Sequence, residues 1–223
     1  HDLCRRQRQM CIRDRGTEGS HALDGDLDNI RRLYDAGFRM MSLQHFFDNK
    51  LGGSLHGESN AGLTEFGREA VRLMDSMGIM IDVSHSSPQV VDDVLNLIDS
   101  PLIVSHTGFK GHCDRKRNIS DDLIMRISER GGLMGVGFWS EAVCGTDVTA
   151  IADAIAYGVE TFGVEAVALG SDWDGAVTTP IAANDLAYLT SALLKRGLSD
   201  DDIRAVMGGN TVRYFLEHLP ATD

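Results

Sequence analysis

Three apolar runs of this chain end on a histidine, and a fourth ends on an aspartate. The runs cover residues 39–45, 79–85, 101–106 and 166–172, and they end at His45, His85, His106 and Asp172. Imidazole and carboxylate groups are ligands that zinc takes in proteins. A single histidine of this kind is often structural, hydrogen-bonded to nearby backbone. Three of them in register, together with an aspartate, favour a metal centre.

The elements that must position these residues follow a regular alternation. Short β-rich runs alternate with helical patterns, which is typical of βα units around a parallel sheet. Ser87 and Pro88 predict a helix N-cap and first turn, and Gly37 and Gly78 predict helix ends. We therefore expect an α/β fold of the (β/α)8 TIM-barrel type. In such barrels the active site lies at the C-terminal ends of the strands, where the four terminal residues would converge.

The strand count predicts an incomplete barrel. Five clear strands and a short stub near residues 16–18 are visible, whereas a complete barrel has eight strands and about 250 residues. We expect the first two βα units to be lacking and residues 16–223 to form one partial barrel domain. Residues 1–15 carry five arginines and no amphipathic period. They are interpreted as a non-native leader, with a native basic tail as the alternative, and are left out of the fold prediction.

The net charge and the lengths of the apolar runs argue against nucleic acid as a partner and against a membrane-spanning segment. The formal net charge of −12 argues against nucleic acid. No apolar stretch approaches the roughly 18 residues of a membrane span. The cysteines, which form no Cys-x-x-Cys pair, predict reduced thiols; they are Cys4, Cys11, Cys113 and Cys144. The compartment is left open because the native N-terminus is not visible, with a soluble cytoplasmic location favoured.

Two carboxylates are candidates for chemistry. Glu18 lies in a glycine-rich segment before a helix, where its two oxygens could bridge two metal ions about 3.5–4 Å apart. The alternative is an ordinary contact with a helix N-terminus. Asp172 lies at a strand end and could act as an acid or base. Asp174, two residues later and before a glycine, fits a turn former better.

A basic cluster follows His106 in this acidic chain. It comprises Arg115, Lys116 and Arg117. An arginine can grip a substrate carboxylate through two parallel hydrogen bonds, and Arg117 is the candidate. A solvated loop is the accepted interpretation for Arg115 and Lys116. Within residues 16–223, the histidines outside the candidate site are expected to be structural or without a role; they are His21, His56, His112 and His218.

Seven motifs follow one another along the chain. They are Glu18-Gly19, Ser-Leu-Gln-His45 with Asn49, Gly62-Leu-Thr-Glu-Phe-Gly67, Ile81-Asp-Val-Ser-His85, Ser105-His106 followed by Arg117-Asn118, Gly170-Ser-Asp172-Trp-Asp-Gly175 and Gly208-Gly-Asn210. In this order they resemble the membrane (renal) dipeptidase family of zinc metallopeptidases, and the resemblance runs from Gly16 to Leu219.

The resemblance implies a role for each candidate. Glu18 would bridge two zinc ions, and His85 and His106 would complete the second zinc site. His45 would contact the substrate and polarise the scissile carbonyl. Arg117 would hold the terminal carboxylate of a dipeptide, Asp172 would protonate the leaving amine, and a hydroxide held between the metals would be the nucleophile.

One departure from the family pattern leaves alternatives open. The family carries a His-x-Asp pair on its first strand, and no such pair precedes Glu18. One zinc or none, in place of two, is therefore expected here. The leading hypothesis is a zinc-dependent dipeptidase acting on dipeptide substrates, with a homodimer left open. The alternatives are a related metal-dependent amidohydrolase acting on another amide or a lactam, and a non-catalytic remnant.

Overall fold

The computed structural model describes residues 15–219, which fall into two compact units. The first unit comprises residues 15–100 with 218–219, and the second comprises residues 101–217. Residues 1–14 of the segment interpreted as a leader lie outside the described residues. Arg15, the last residue of that segment, is the first residue of a strand.

The first unit is built on three parallel strands. β1 (Arg15–Thr17), β2 (Phe38–Ser42) and β3 (Met80–Asp82) pair in the order β1-β2-β3. Every residue of β3 is buried, as expected when helices cover both faces of a parallel sheet. The helices of this unit are α1 (Asp28–Asp35), α2 (Glu65–Ser76) and α3 (Pro88–Leu97), with a 3₁₀ turn over His21–Leu23.

Local sequence explains where these helices begin and end. The hydroxyl of Ser87 accepts a hydrogen bond from Val90 N, and Pro88 takes the first helical position, so the predicted start of α3 is confirmed. Thr64 caps α2 in the same way through Gly67 N. Gly78 follows the end of α2 with a φ of +68°, a conformation that side chains with a Cβ rarely adopt.

The second unit repeats the same plan. β4 (Ile103–Thr107), β5 (Leu133–Val136) and β6 (Val167–Leu169) pair in parallel in the order β4-β5-β6. With the first unit, this confirms the α/β class predicted from the sequence. The helices are α4 (Asp121–Ser128), α5 (Ser140–Val143), α6 (Val148–Phe162), α7 (Leu186–Lys195), α8 (Asp200–Arg204) and α9 (Asn210–His218).

The last residues of the four apolar runs lie at or just beyond the ends of strands. His106 is part of β4, whereas His45, His85 and Asp172 each come three residues after the last residue of β2, β3 and β6. The strands are therefore shorter than the apolar runs. Leu43, the first residue after β2, still makes backbone hydrogen bonds: its N–H donates to Asp82 O at 3.1 Å, and its carbonyl accepts from Ser20 N at 3.3 Å.

A disulfide in the second unit corrects the cysteine prediction. Cys113 and Cys144 are bonded, with their Cα atoms 5.5 Å apart although 31 residues separate them in sequence. The expectation of reduced thiols was wrong for this pair, because their proximity arises from the fold and leaves no Cys-x-x-Cys signature. Among the described residues, no helix combines the length and the apolar character needed to cross a bilayer.

Candidate active site

Glu18, His45 and His85 bring their side chains together in the first unit. Each offers one ligand atom, and these three atoms all lie within 4.8 Å of one another. Glu18 Oε1 is 3.2 Å from His85 Nε2 and 3.7 Å from His45 Nε2. The two imidazole rings stand edge to face, with centroids 4.7 Å apart. His85 is almost fully buried, while about half of the Glu18 side chain is exposed, so the cluster opens to solvent on the carboxylate side.

Gly19 lets the chain after β1 come close to His45. It adopts a φ of +80°, and a Cβ at this position would lie 3.0 Å from His45 Cβ. The next residue, Ser20, donates a hydrogen bond from Oγ to Ser42 O at 2.8 Å. Because this serine ties the segment after β1 to the end of β2, the Glu18 carboxylate is held beside His45.

Ser54 connects the backbones of both histidines. Its hydroxyl lies within hydrogen-bonding distance of His45 O and 3.4 Å from His85 O, and it accepts from His56 N at 3.1 Å. Leu55 N also donates to His85 O at 2.8 Å. Ser54 is completely buried, so its hydroxyl has no solvent alternative to these partners. One side chain therefore couples the two strand ends that carry the imidazoles.

Asp48 organises the loop that carries Ser54. Its carboxylate accepts backbone hydrogen bonds from Ser54 N at 2.7 Å, Ser59 N at 3.0 Å and Glu58 N at 3.2 Å. These bonds, with that from Ser54 the largest contributor, favour the charged form and lower the pKa of Asp48 below its usual value of 3.8. The loop is thus folded around a carboxylate that is ionised at neutral pH.

Two further rings border the cluster. Phe46 is about half exposed, and its ring centroid lies 4.4 Å from that of His45 and 5.6 Å from that of His85. The His56 ring lies 5.0 Å from Phe46 and 5.5 Å from His85. No role was predicted for His56, because a histidine in a polar loop does not follow an apolar strand.

The donor set fits a zinc ion. Two imidazoles and one carboxylate are the nitrogen and oxygen ligands that zinc takes, and catalytic zinc sites commonly use three protein ligands. The three ligand atoms lie close enough to one another to share one ion. Glu18, His45 and His85 are the residues that would hold it.

His106 is oriented by its neighbours in the second unit. Its Nδ1 shares a hydrogen bond of 2.9 Å with Ser105 Oγ, so Nε2 is the nitrogen that could coordinate an ion. Glycines allow the strands to close around Ser105. A Cβ at Gly135 would fall 2.1 Å from Ser105 O, and one at Gly170 would fall 2.4 Å from the same oxygen.

Arg117 differs from its basic neighbours. Arg115 and Lys116 are exposed, as expected for a solvated loop, whereas Arg117 is only 8% exposed. Its Nη2 donates to His106 O at 2.9 Å, and its guanidinium carbon lies 5.4 Å from the Trp139 ring centroid. The orientation of the guanidinium is therefore restricted by a hydrogen bond to a backbone carbonyl and by contact with an aromatic ring.

Asp172 occupies a backbone conformation that is uncommon for aspartate. Its φ is +59°, in the left-handed region, and Gly175 N donates to Asp172 O at 3.0 Å to close the turn. The next residue, Trp173, donates from Nε1 to Ile181 O at 2.8 Å and stands edge to face with Phe138. Asp172 is partly buried, whereas Asp174 is exposed. A carboxylate held in this conformation by its surroundings is a recurrent feature of functional sites.

The predicted site residues thus divide between the units. Glu18 and His85 meet in the first unit, and His45, predicted as a substrate contact, joins them within ligand distance. His106, Arg117 and Asp172 lie in the second unit, and their predicted roles stay predictions. Ser54 and Trp139 were not predicted from the sequence, because buried hydroxyls and aromatic rings have no distinctive spacing.

Comparisons with known proteins identify relatives of the chain. The family model described as Membrane dipeptidase (Peptidase family M19) matches residues 5–219. The dipeptidase aclJ of Aspergillus oryzae (strain ATCC 42149 / RIB 40) is 32% identical over 216 residues. That match covers 92% of this chain and 51% of the relative, so the chain spans about half the length of that curated relative.

Solved structures show the same fold. An amidohydrolase from Pseudomonas aeruginosa superposes with a TM-score of 0.80 at 26% identity, covering 89% of this chain and 70% of the other. A metallopeptidase from Rhodobacter sphaeroides, liganded with a phosphinate mimic of the dipeptide L-Ala-D-Ala, gives 0.80 at 25% identity, with coverage of 92% and 62%. The chain shares the TIM-barrel type of fold expected from the sequence, and it belongs to the membrane dipeptidase family of metallopeptidases.

Proposed function

We propose that this protein is a zinc-dependent dipeptidase that hydrolyses the amide bond of dipeptides. The observation that carries the proposal is the Glu18, His45 and His85 cluster, whose ligand atoms lie within 4.8 Å of one another in a member of the membrane dipeptidase family. The proposed substrate class is supported by the relative named a dipeptidase and by the structure liganded with a dipeptide mimic.

Each residue contributes a separate task to hydrolysis. Glu18, His45 and His85 would hold the zinc, and His106 is proposed as a further ligand through Nε2. When bound, zinc lowers the pKa of a water molecule towards 7 and polarises a carbonyl. His45 stands at the more exposed side of the cluster, where its imidazole can also contact the scissile carbonyl of a substrate.

The second unit supplies the groups proposed for substrate handling. The buried guanidinium of Arg117 binds the C-terminal carboxylate, since its contacts to His106 O and Trp139 hold its orientation before substrate arrives. The Asp172 carboxylate takes a proton from the attacking water and gives it to the leaving amine, which departs as a neutral amino group. The backbone hydrogen bond from Gly175 N to Asp172 O closes the turn that carries this carboxyl group.

A matched set of variants tests the proposal. Purified protein loaded with zinc is expected to release free amino acids from a dipeptide panel. Glu18→Gln and His85→Ala should each lower zinc affinity by more than the 10- to 100-fold that loss of an outer partner costs, and hydrolysis should fall with it. Glu58→Gln, an exposed glutamate whose backbone N–H joins the Asp48 loop, is the control and should match the parent. Zinc binding without hydrolysis of any dipeptide would contradict the proposal.

A second candidate is a metal-dependent amidohydrolase acting on another amide or a lactam. The similarity to the amidohydrolase of Pseudomonas aeruginosa favours it, because related barrels support many chemistries. The effect of substituting Arg117 distinguishes the two candidate functions. If Arg117→Ala leaves KM for dipeptides unchanged, the terminal carboxylate is not recognised there and the amidohydrolase gains support.

A further inference from the structure

We propose that the Cys113–Cys144 disulfide holds the Arg117 guanidinium in its carboxylate-binding orientation, so that reduction of the disulfide weakens binding of substrates with a free C-terminal carboxylate. The inference rests on the proposed function, in which Arg117 binds that carboxylate. The segment concerned is the Arg117 loop, residues 108–120, which joins β4 to α4.

The disulfide fastens the Arg117 loop to α5. Cys113 lies within the loop and is buried, and Cys144 directly follows the last residue of α5, where its N–H donates to Ser140 O at 2.8 Å. Cys113 stands four residues before Arg117. Cys144 is exposed, so a reductant in solution can reach the bond from that side.

A second fastening lies on the other side of Arg117. Asn118 is buried, and its amide nitrogen is within hydrogen-bonding distance of Cys113 O at 2.8 Å, Ala142 O at 3.0 Å and Glu141 O at 3.2 Å. The last two acceptors belong to α5. Arg117 therefore lies between two connections to α5: the disulfide of Cys113 on one side and the hydrogen bonds of Asn118 on the other.

The same helix also begins beside the guanidinium. Trp139 immediately precedes α5, and its ring faces Arg117 at 5.4 Å and His106 at 6.0 Å. Gly137 makes room for this indole, since a Cβ there would fall 2.1 Å from the ring. Trp139 therefore lies directly before α5, and Cys144 of the disulfide lies directly after it. The Arg117 guanidinium contacts the Trp139 ring, and the loop that carries it is bonded to the end of the same helix.

Loss of the covalent link should act on orientation first. A guanidinium binds a carboxylate through two parallel hydrogen bonds only when its plane is aligned, and a displacement of about 1 Å can cost roughly 100-fold. Asn118 still joins the loop to α5 after reduction, so the fold should persist. We expect a loss of about 10-fold in affinity for carboxylate-bearing ligands, with kcat changed by less than about twofold.

Reduction is a defined chemical step here. With a water-soluble phosphine as reductant, the S–S bond breaks and each sulfur becomes a thiol. The phosphine is oxidised to its phosphine oxide, which takes its oxygen from water, and the two hydrogens of that water supply the two thiol protons. A phosphine is preferred to a dithiol because a dithiol would compete for zinc.

The test measures Kd by calorimetry for two ligands that the protein cannot hydrolyse, before and after phosphine treatment of the zinc-loaded protein. The dipeptide ligand is a phosphinate mimic of a dipeptide with a free C-terminal carboxylate, and the amide ligand is the same mimic as its C-terminal amide. Reduction should raise Kd for the dipeptide about 10-fold and leave that of the amide unchanged. The Cys113→Ser/Cys144→Ser double variant should show the raised value without reductant and no response to it. In Arg117→Ala, reduction should have no further effect on dipeptide binding.

Three results would overturn the inference. They are an unchanged dipeptide Kd after complete reduction, an equal rise for dipeptide and amide, and a full response to reduction in Arg117→Ala. The phosphine experiment on the parent protein decides the question even if the double variant does not fold. Redox-sensitive dipeptide binding without turnover would overturn the proposed function while supporting the role of the disulfide.

Discussion

Replacing Ser54 with alanine should weaken zinc binding although Ser54 is not itself a ligand. The substitution removes a hydroxyl that donates towards His45 O, approaches His85 O and accepts from His56 N. Each net hydrogen bond contributes about 0.5–1.5 kcal/mol, and a buried partner left unsatisfied costs about 1–3 kcal/mol. His85 O keeps its bond from Leu55 N, so the His45 carbonyl and His56 N–H bear most of the loss.

The expected effects can be measured separately. Unfolding in urea should show Ser54→Ala to be about 1–3 kcal/mol less stable than the parent, and a competition titration should show zinc affinity about 10-fold lower. Ser76→Ala is the control, because its exposed hydroxyl donates to Leu73 O without touching the cluster. It should change stability by less than about 0.5 kcal/mol. A Ser54→Ala variant that is less stable but binds zinc with the parent affinity would refute the argument that Ser54 positions the imidazoles.

Three more predictions follow from other contacts of the two units. Asp172→Asn should lower kcat by on the order of 10²- to 10⁴-fold with zinc content unchanged by metal analysis, and loss of metal would make it a ligand. Phe46→Ala should lower kcat/KM for dipeptides about 10-fold, because it removes the ring beside His45. Phe47, which is three-quarters exposed, provides the control, and Phe47→Ala should have little effect. Equal losses of kcat/KM in the two variants would argue against a role for Phe46. Because the folded-state pKa of Asp48 is lowered, its stabilisation is present above about pH 4 and lost as pH falls through that pKa. The stability gap between parent and Asp48→Asn should therefore be constant from pH 7 to 5 and shrink below about pH 4, as measured by urea unfolding; a gap that widens in acid would contradict this.

Local signals explain the features that could be predicted from the sequence. The cap at Ser87 and the helix end at Gly78 depend on neighbouring residues alone, so both appear in the structure where the pattern indicates them. The strand-end positions of the histidines follow from alternating βα segments. Glu18 was a candidate because a carboxylate beside a glycine can approach other groups, and it lies 3.2 Å from His85 Nε2.

Features that depend on distant parts of the chain escaped prediction. Ser54 reaches two strand ends across 9 and 31 residues, and no spacing rule distinguishes it from other loop serines. The pairing of Cys113 with Cys144 requires the Arg117 loop to return to α5. Trp139 gains its position from the space that Gly137 leaves. Each of these contacts is a product of tertiary packing.

The two glycines around Ser105 have a consequence for mutational tolerance. Neither Gly135 nor Gly170 carries a reactive group, yet any side chain at either position would collide with Ser105 O. Ser105 in turn orients His106 through its hydroxyl. A saturation scan scored by catalysis should therefore find positions 135 and 170 nearly as intolerant as the imidazole itself. Although Gly135 and Gly170 have no functional group, we expect them to accept fewer substitutions than most solvent-exposed residues of the protein.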